Sequence, residues 1–142
     1  MKPLETVLDT NVLISALRSR RGASFELLRL VGDERWRLHL STALLLEYEA
    51  VARREAQQLW LHPERIEDVL DYLSANAREH AISFRWRPWL NDPNDDFILE
   101  LAVSAWARYI VTHNLRNFTG VESFGIEAIT PARTLLKLKE TQ

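Results

Sequence analysis

Five carboxylates stand where side chains could do chemistry: Asp9, Glu47, Asp92, Asp95 and Asp96. Asp9 ends the strand-type run Thr6-Val7-Leu8, and Thr10-Asn11 lead at once into a second apolar run from Val12 to Leu17. The pattern reads as a buried strand whose last residue points out of a sheet's carboxyl edge, with Thr10 or Asn11 capping a helix. Glu47 shares a helical face with Leu44 and Val51, at spacings of three and four. A glutamate on an apolar stripe costs energy unless something pairs with it. Asp92, Asp95 and Asp96 crowd a helix start, and Thr112-His113-Asn114 follow a strand. Each group also has a purely structural reading. Asp9 is a good helix cap, Glu47 can reach outward to a salt bridge, and acids in a first turn complement the helix dipole.

If the acids meet, the chemistry is constrained. Carboxylates brought close together cannot all stay ionised unless a cation intervenes. An oxygen-only cluster suits Mg²⁺ or Mn²⁺, hard ions that accept carboxylates and keep several waters. The chain has no cysteine, and His39, His62, His80 and His113 show no paired ligand spacing, which argues against zinc. No G-x-G-x-x-G, Walker A, H-E-x-x-H or G-x-S-x-G motif occurs.

The elements that must position these residues alternate along the chain. Trp36 to Leu40 alternates as a strand does, and Ser41-Thr42 cap a helix running to about Arg54. A helix from about Ala23 to Gly32 precedes that strand, and Pro63 opens an amphipathic helix with Ile66, Val69, Leu70, Leu73 and Ala77 at core spacing. A weak strand is expected near Ala81 to Phe84, a helix from the Asn91–Asp96 segment to about Ala107, strands at Tyr109–Thr112 and Ile126–Thr130, and a last helix from Pro131. Alternating strands and helices imply an α/β fold, with a mainly parallel sheet of about five strands and helices on both faces. Residues 1–142 read as one domain, within the usual size range. Hydrophobic residues make up 46% and charged residues 27%, as in an ordinary globular protein. No apolar segment approaches the ~20 residues of a membrane span, and the absence of cysteine is compatible with a cytoplasmic location. The net charge of −2 gives no global attraction to nucleic acid, so any such binding must come from local arginine clusters.

Four segments, in order, resemble a PIN domain, the nuclease fold of VapC-type toxins in toxin–antitoxin operons. They are Val7-Leu8-Asp9-Thr10-Asn11-Val12-Leu13, Leu45-Leu46-Glu47-Tyr48, Asp92-Pro93-Asn94-Asp95-Asp96 with Leu99-Glu100-Leu101-Ala102, and Tyr109 through Phe118. The resemblance spans nearly the whole chain and implies a PIN-like three-layer α/β/α sandwich. It implies a Mg²⁺-dependent endoribonuclease with Asp9, Glu47 and Asp96 as catalytic acids. Asp96 is the choice for the third acid because sixteen residues separate it from Thr112. Asp92, one turn earlier, and Asn114 would add metal ligands, whereas Asp95 points about 100° away. Many relatives carry aspartate where this chain has Asn114 or Asn117, which weakens any second metal.

In the implied mechanism a metal-activated water attacks the phosphodiester, leaving 5′-phosphate and 3′-hydroxyl ends. Thr10, Asn11 and Thr112 position carboxylates and water, and Arg116 or the Arg18, Arg20, Arg21 turn contacts phosphate; a solvated basic turn is the competing reading. Trp86 and Trp89, with Arg85 and Arg87, either stack unpaired bases or pack over the sheet. The implied partners are RNA, a small antitoxin and a second copy of the chain, for which the Pro63 helix offers apolar surface. The competing function is a catalytically impaired PIN module that binds RNA or a protein partner.

Overall fold

The computed structural model describes residues 2–81, 90 and 93–140. Asp92, the Trp86/Trp89 segment with its arginines, and most of the strand expected near residues 81–84 lie outside the described residues. Five strands form one parallel sheet: β1 (Leu4–Leu8), β2 (Trp36–Ser41), β3 (Arg78–His80), β4 (Tyr109–Val111) and β5 (Glu127–Ile129), in the order β3-β2-β1-β4-β5. The helices are α1 (Thr10–Arg18), α2 (Ala23–Arg29), α3 (Thr42–Arg54), α4 (Ala56–Leu59), α5 (Pro63–Asn76), α6 (Pro93–Ser104) and α7 (Pro131–Glu140). Single 3₁₀ turns at Leu115–Phe118 and Val121–Phe124 link β4 to β5. None of the described helices is long and apolar enough to cross a membrane.

The sheet has the hydrophobic inner strands that a covered parallel sheet requires. Val7, Leu8, Leu38, Leu40, Ile110 and Val111 are all at most 2% exposed. They pack with Leu13, Leu27, Leu44, Leu99 and Leu101 into the main core. Each such aliphatic side chain stabilises the fold by about 1.5–3 kcal/mol. A smaller cluster, built on Ile14, Val51, Ala52, Leu59 and Ile66, fixes α4 and α5 against α1 and α3.

The third strand is Arg78–His80, just before the expected segment. It is a polar edge strand, so no run of apolar residues announces it. His39 of β2, in register with Arg78, reaches diagonally to His80 of β3, its Nδ1 2.8 Å from Nε2 of His80.

Strand order sets the place of a ligand. From β1 the chain builds outward through β2 and β3, then returns to lay β4 and β5 on the other side of β1. Right-handed crossovers therefore carry α1–α5 over one face and α6 over the other. The crevice opened by that reversal lies between the carboxyl ends of β1 and β4, where open α/β sheets bind ligands.

Candidate active site

Asp9 follows the last residue of β1 and Thr112 the last residue of β4, so both stand at this crevice. Asp9 occupies the cap position of α1, yet its carboxylate makes no capping bond. Thr112 Oγ1 donates to Asp9 Oδ2 at 2.7 Å, and both side chains are buried. Asp9 N–H donates to the Val111 carbonyl at 2.9 Å, continuing the β1–β4 pairing one residue past the strands. The Thr112 hydroxyl also accepts from Asn114 N–H at 2.9 Å, and Asn11 Oδ1 accepts from His113 N–H at 3.3 Å. The segment after β4 is thereby held over the start of α1.

Glu47 arrives from α3. Ser41 caps that helix, its hydroxyl accepting from Leu44 N–H at 3.1 Å. This is the capping bond expected of serine at such a position. The residue after Glu47 fixes the helix to β1: Tyr48, completely buried, donates its hydroxyl to the Leu8 carbonyl at 2.5 Å. Burial first, and the charge of Asp9 second, push the Tyr48 hydroxyl well above its ordinary pKa. It therefore stays a protonated donor, locking Glu47 relative to the end of β1.

On α6 the acid that lines the site is Asp95 rather than Asp96. A cavity of about 370 Å³ is lined by Asp9, Thr10, Asn11, Glu47, Asp95 and Asn114, together with Asn117, Glu55 and Arg18. Asp95 is on its wall and only 7% exposed; Asp96 is not among the lining residues. One Asp96 oxygen instead accepts from Leu90 N–H at 3.1 Å, steadying the chain before α6. Asp95 lies three residues before Ile98, which lines the same cavity, whereas Asp96 lies about 100° round the helix, three before the equally buried Leu99. Ile98, Leu99, Leu101 and Ala102 are all buried, so the apolar pattern of α6 does not by itself choose between the two acids. Arg116 is exposed and does not line the cavity, whereas Arg18 and Glu55, not counted among the catalytic acids or ligands above, do.

Among the described residues, the cavity sets four carboxylates (Asp9, Glu47, Glu55, Asp95) against one cation, Arg18, which is ion-paired with Glu55 at 3.3 Å. Its donors are all oxygens, from carboxylates, hydroxyls and amides, matching a hard divalent cation. Among the described residues, no three acidic or imidazole side chains draw close enough to enclose an ion by themselves.

The fold is shared with solved structures. A chain of VapBC from Salmonella typhimurium, solved with bound DNA, matches at 22% identity over 90% of this chain and 98% of that one, with a TM-score of 0.63. VapBC2 from Rickettsia felis, bound to a DNA fragment from its promoter, matches at 15% identity over 89% and 98%, with a TM-score of 0.62. A PilT N-terminus domain protein from Sulfolobus solfataricus P2 matches at 11% identity over 95% and 93%, with a TM-score of 0.54. No curated protein sequence matches the chain. The family model described as PIN domain matches residues 5–116, a span that runs from the second residue of β1 past β4 and takes in every cavity residue named above except Asn117.

Proposed function

The chain belongs to the PIN-domain family, a family of nucleases, and on that premise we propose that it is a divalent-metal-dependent endoribonuclease, the toxin of a type II toxin–antitoxin pair. The observation that carries the reading is the convergence of Asp9, Glu47 and Asp95 on one cavity at the crevice between β1 and β4. The VapBC structures of the same fold support an antitoxin partner. Pairing with a second copy and a cytoplasmic location belong to the same proposal.

Asp9, Glu47 and Asp95 would hold Mg²⁺ directly or through water, with Asn114 as a neutral further donor. Such an ion lowers the pKa of a bound water and neutralises charge growing on the phosphate. The chain's own groups do the rest. Thr112 holds the Asp9 carboxylate in one orientation through its hydroxyl, and Asn11 fixes the backbone that follows Thr112. One of the cavity carboxylates takes the proton of the attacking water. The water oxygen bonds to phosphorus as the bond to the 3′ oxygen breaks, and that oxygen takes a proton from solvent water to leave as a 3′-hydroxyl opposite a 5′-phosphate, the carboxylate returning its own proton to solvent. Arg18 offers the cavity's positive charge to a phosphate oxygen.

Asn114 and Asn117 favour a second reading, a PIN module that binds RNA or protein with little catalysis, because both supply amides where a carboxylate would hold a second ion. Cleavage of a mixed RNA pool with Mg²⁺ and with EDTA, beside calorimetric titration of Mg²⁺, separates the two. The nuclease cleaves with Mg²⁺ alone, and Asp9→Asn loses that cleavage while keeping its melting temperature. Absence of Mg²⁺-dependent cleavage by the wild type, or full activity of Asp9→Asn, contradicts the nuclease reading.

A further inference from the structure

Beyond Arg18 the acidic cavity gives way to another. The same side chain lines a second cavity of about 430 Å³, set between the end of α1, α2 and the start of α5. Arg18 thus stands at the boundary, its guanidinium ion-paired with Glu55 of the first cavity and its stem on the wall of the second. The second cavity reverses the charge of the first. Arg20, Arg65 and His62 line it beside Arg18, and no carboxylate does among the described residues. Neither Arg20 nor Arg65 makes an ion pair among the described residues.

An aromatic surface completes it. Trp60 ends α4 in the left-handed region, φ 55°, where glycine fits without cost and a bulky residue does not. Its side chain is nonetheless 91% exposed beside the unpaired arginines, although tryptophan is highly buried on average. Core packing does not account for an indole held out in this way. Cations that track a phosphate backbone, joined to an exposed ring on which a base can stack, are the parts of a single-strand binding surface.

We infer that the second cavity takes the single-stranded RNA flanking the scissile phosphate, with Arg20 and Arg65 on its backbone, Trp60 against a base, and Arg18 handing the strand to the acids. The inference rests on the nuclease reading of the first cavity and gives that site a track for its substrate. It also resolves the steering problem of a chain whose net charge is −2. The positive surface needed is local and adjoins the acids it serves.

The test is fluorescence anisotropy with a labelled, 12-nucleotide, mixed-sequence single-stranded RNA in EDTA, across a range of KCl concentrations. Arg20→Glu with Arg65→Glu should weaken binding and flatten the log–log salt dependence by about 1.4, two phosphates at roughly 0.7 each. The milder pair Arg20→Gln with Arg65→Gln should shift both in the same direction. Trp60→Ala should weaken binding by about fivefold or more. Unchanged affinity and slope in these variants overturn the inference, as does a wild type that does not bind the RNA. An acidic amphipathic peptide whose binding is lost in the same variants, with RNA affinity intact, overturns it in favour of a protein-docking groove. Adding Mg²⁺ to the same oligomer reads the nuclease separately. Cleavage with affinity unchanged in the variants sinks the track alone, whereas affinity lost in the variants without cleavage by the wild type upholds the track and sinks the nuclease.

Discussion

The hydroxyl of Thr112 has two tasks: it donates to the Asp9 carboxylate and accepts from the Asn114 amide hydrogen. It therefore couples the acid at the end of β1 to the segment after β4 that carries Asn114. Partners that orient a metal-binding carboxylate typically alter affinity or rate by about 10–100-fold when removed. Thr112→Val, which keeps the shape and removes the hydroxyl, should lose Mg²⁺-dependent activity in that range, and Thr112→Ser should recover most of it. Calorimetric Mg²⁺ affinity and cleavage rate check this together; a fully active valine variant would remove Thr112 from the site. At this scale the sequence pattern puts Asp9, Glu47, Asn11 and Thr112 at one sheet edge, and the structure sets Asp9, Asn11 and Glu47 on one cavity wall with Thr112 bonded to Asp9. It does not decide between Asp95 and Asp96. Counting back from Thr112 gives the distance along the chain but not the phase of the helix, and the burial of Ile98, Leu99, Leu101 and Ala102 alike leaves that phase to tertiary packing.

At the scale of elements, α3 is the piece on which the site's geometry turns. Its cap, Ser41, and its anchor, Tyr48, lie on either side of Glu47, and the anchor bonds the Leu8 carbonyl immediately before Asp9. Tyr48→Phe leaves that carbonyl without its side-chain donor and should cost about 1–1.5 kcal/mol of stability. Denaturant unfolding measures the loss, and the cleavage rate should fall with it as Glu47 loosens relative to β1. Equal stability in the phenylalanine variant would contradict the anchoring role. β1, β2 and α3 could be read from sequence because strand alternation, a serine cap and an apolar stripe agree there. β3 could not: Arg78, Glu79 and His80 carry no apolar residue, and they are a strand because β2 offers them a parallel partner. α4, four residues long, is likewise settled by packing of Leu59 into the smaller core rather than by any local pattern.

Across the whole molecule, the edge of the sheet farthest from β5 holds a polar chain that responds to pH. His39 lies between the Glu5 carboxylate, 2.7 Å from its Nε2, and the ring of His80, 2.8 Å from its Nδ1. Arg37 pairs with Glu5 on one side, and Arg78 neighbours His80 on the other. Burial first, then the nearby His39 and Arg78, hold His80 below its ordinary pKa of 6.5. A folded-state pKa below the unfolded value means that the unfolded chain takes up the proton first. The stability this confers is complete above about pH 6.5 and is lost as pH falls through the lower folded value. Between pH 7.5 and 5.0 the wild type should therefore lose more stability than His80→Gln, read as the change in unfolding midpoint at each pH. Parallel pH profiles for the two proteins would contradict this. His80 does not line the acidic cavity, so the same substitution leaves a separate readout of stability and activity.

The account as a whole stands on which acid of α6 works with Asp9 and Glu47. The most direct measurement compares Mg²⁺-dependent cleavage of one RNA by the wild type, Asp95→Asn and Asp96→Asn, all confirmed as folded. Asp95→Asn should lose activity by about a hundredfold or more, while Asp96→Asn, whose carboxylate accepts from Leu90 N–H rather than lining the cavity, should stay within about tenfold of the wild type. The reverse order, or equal activity in all three proteins, would contradict the cavity as the seat of catalysis.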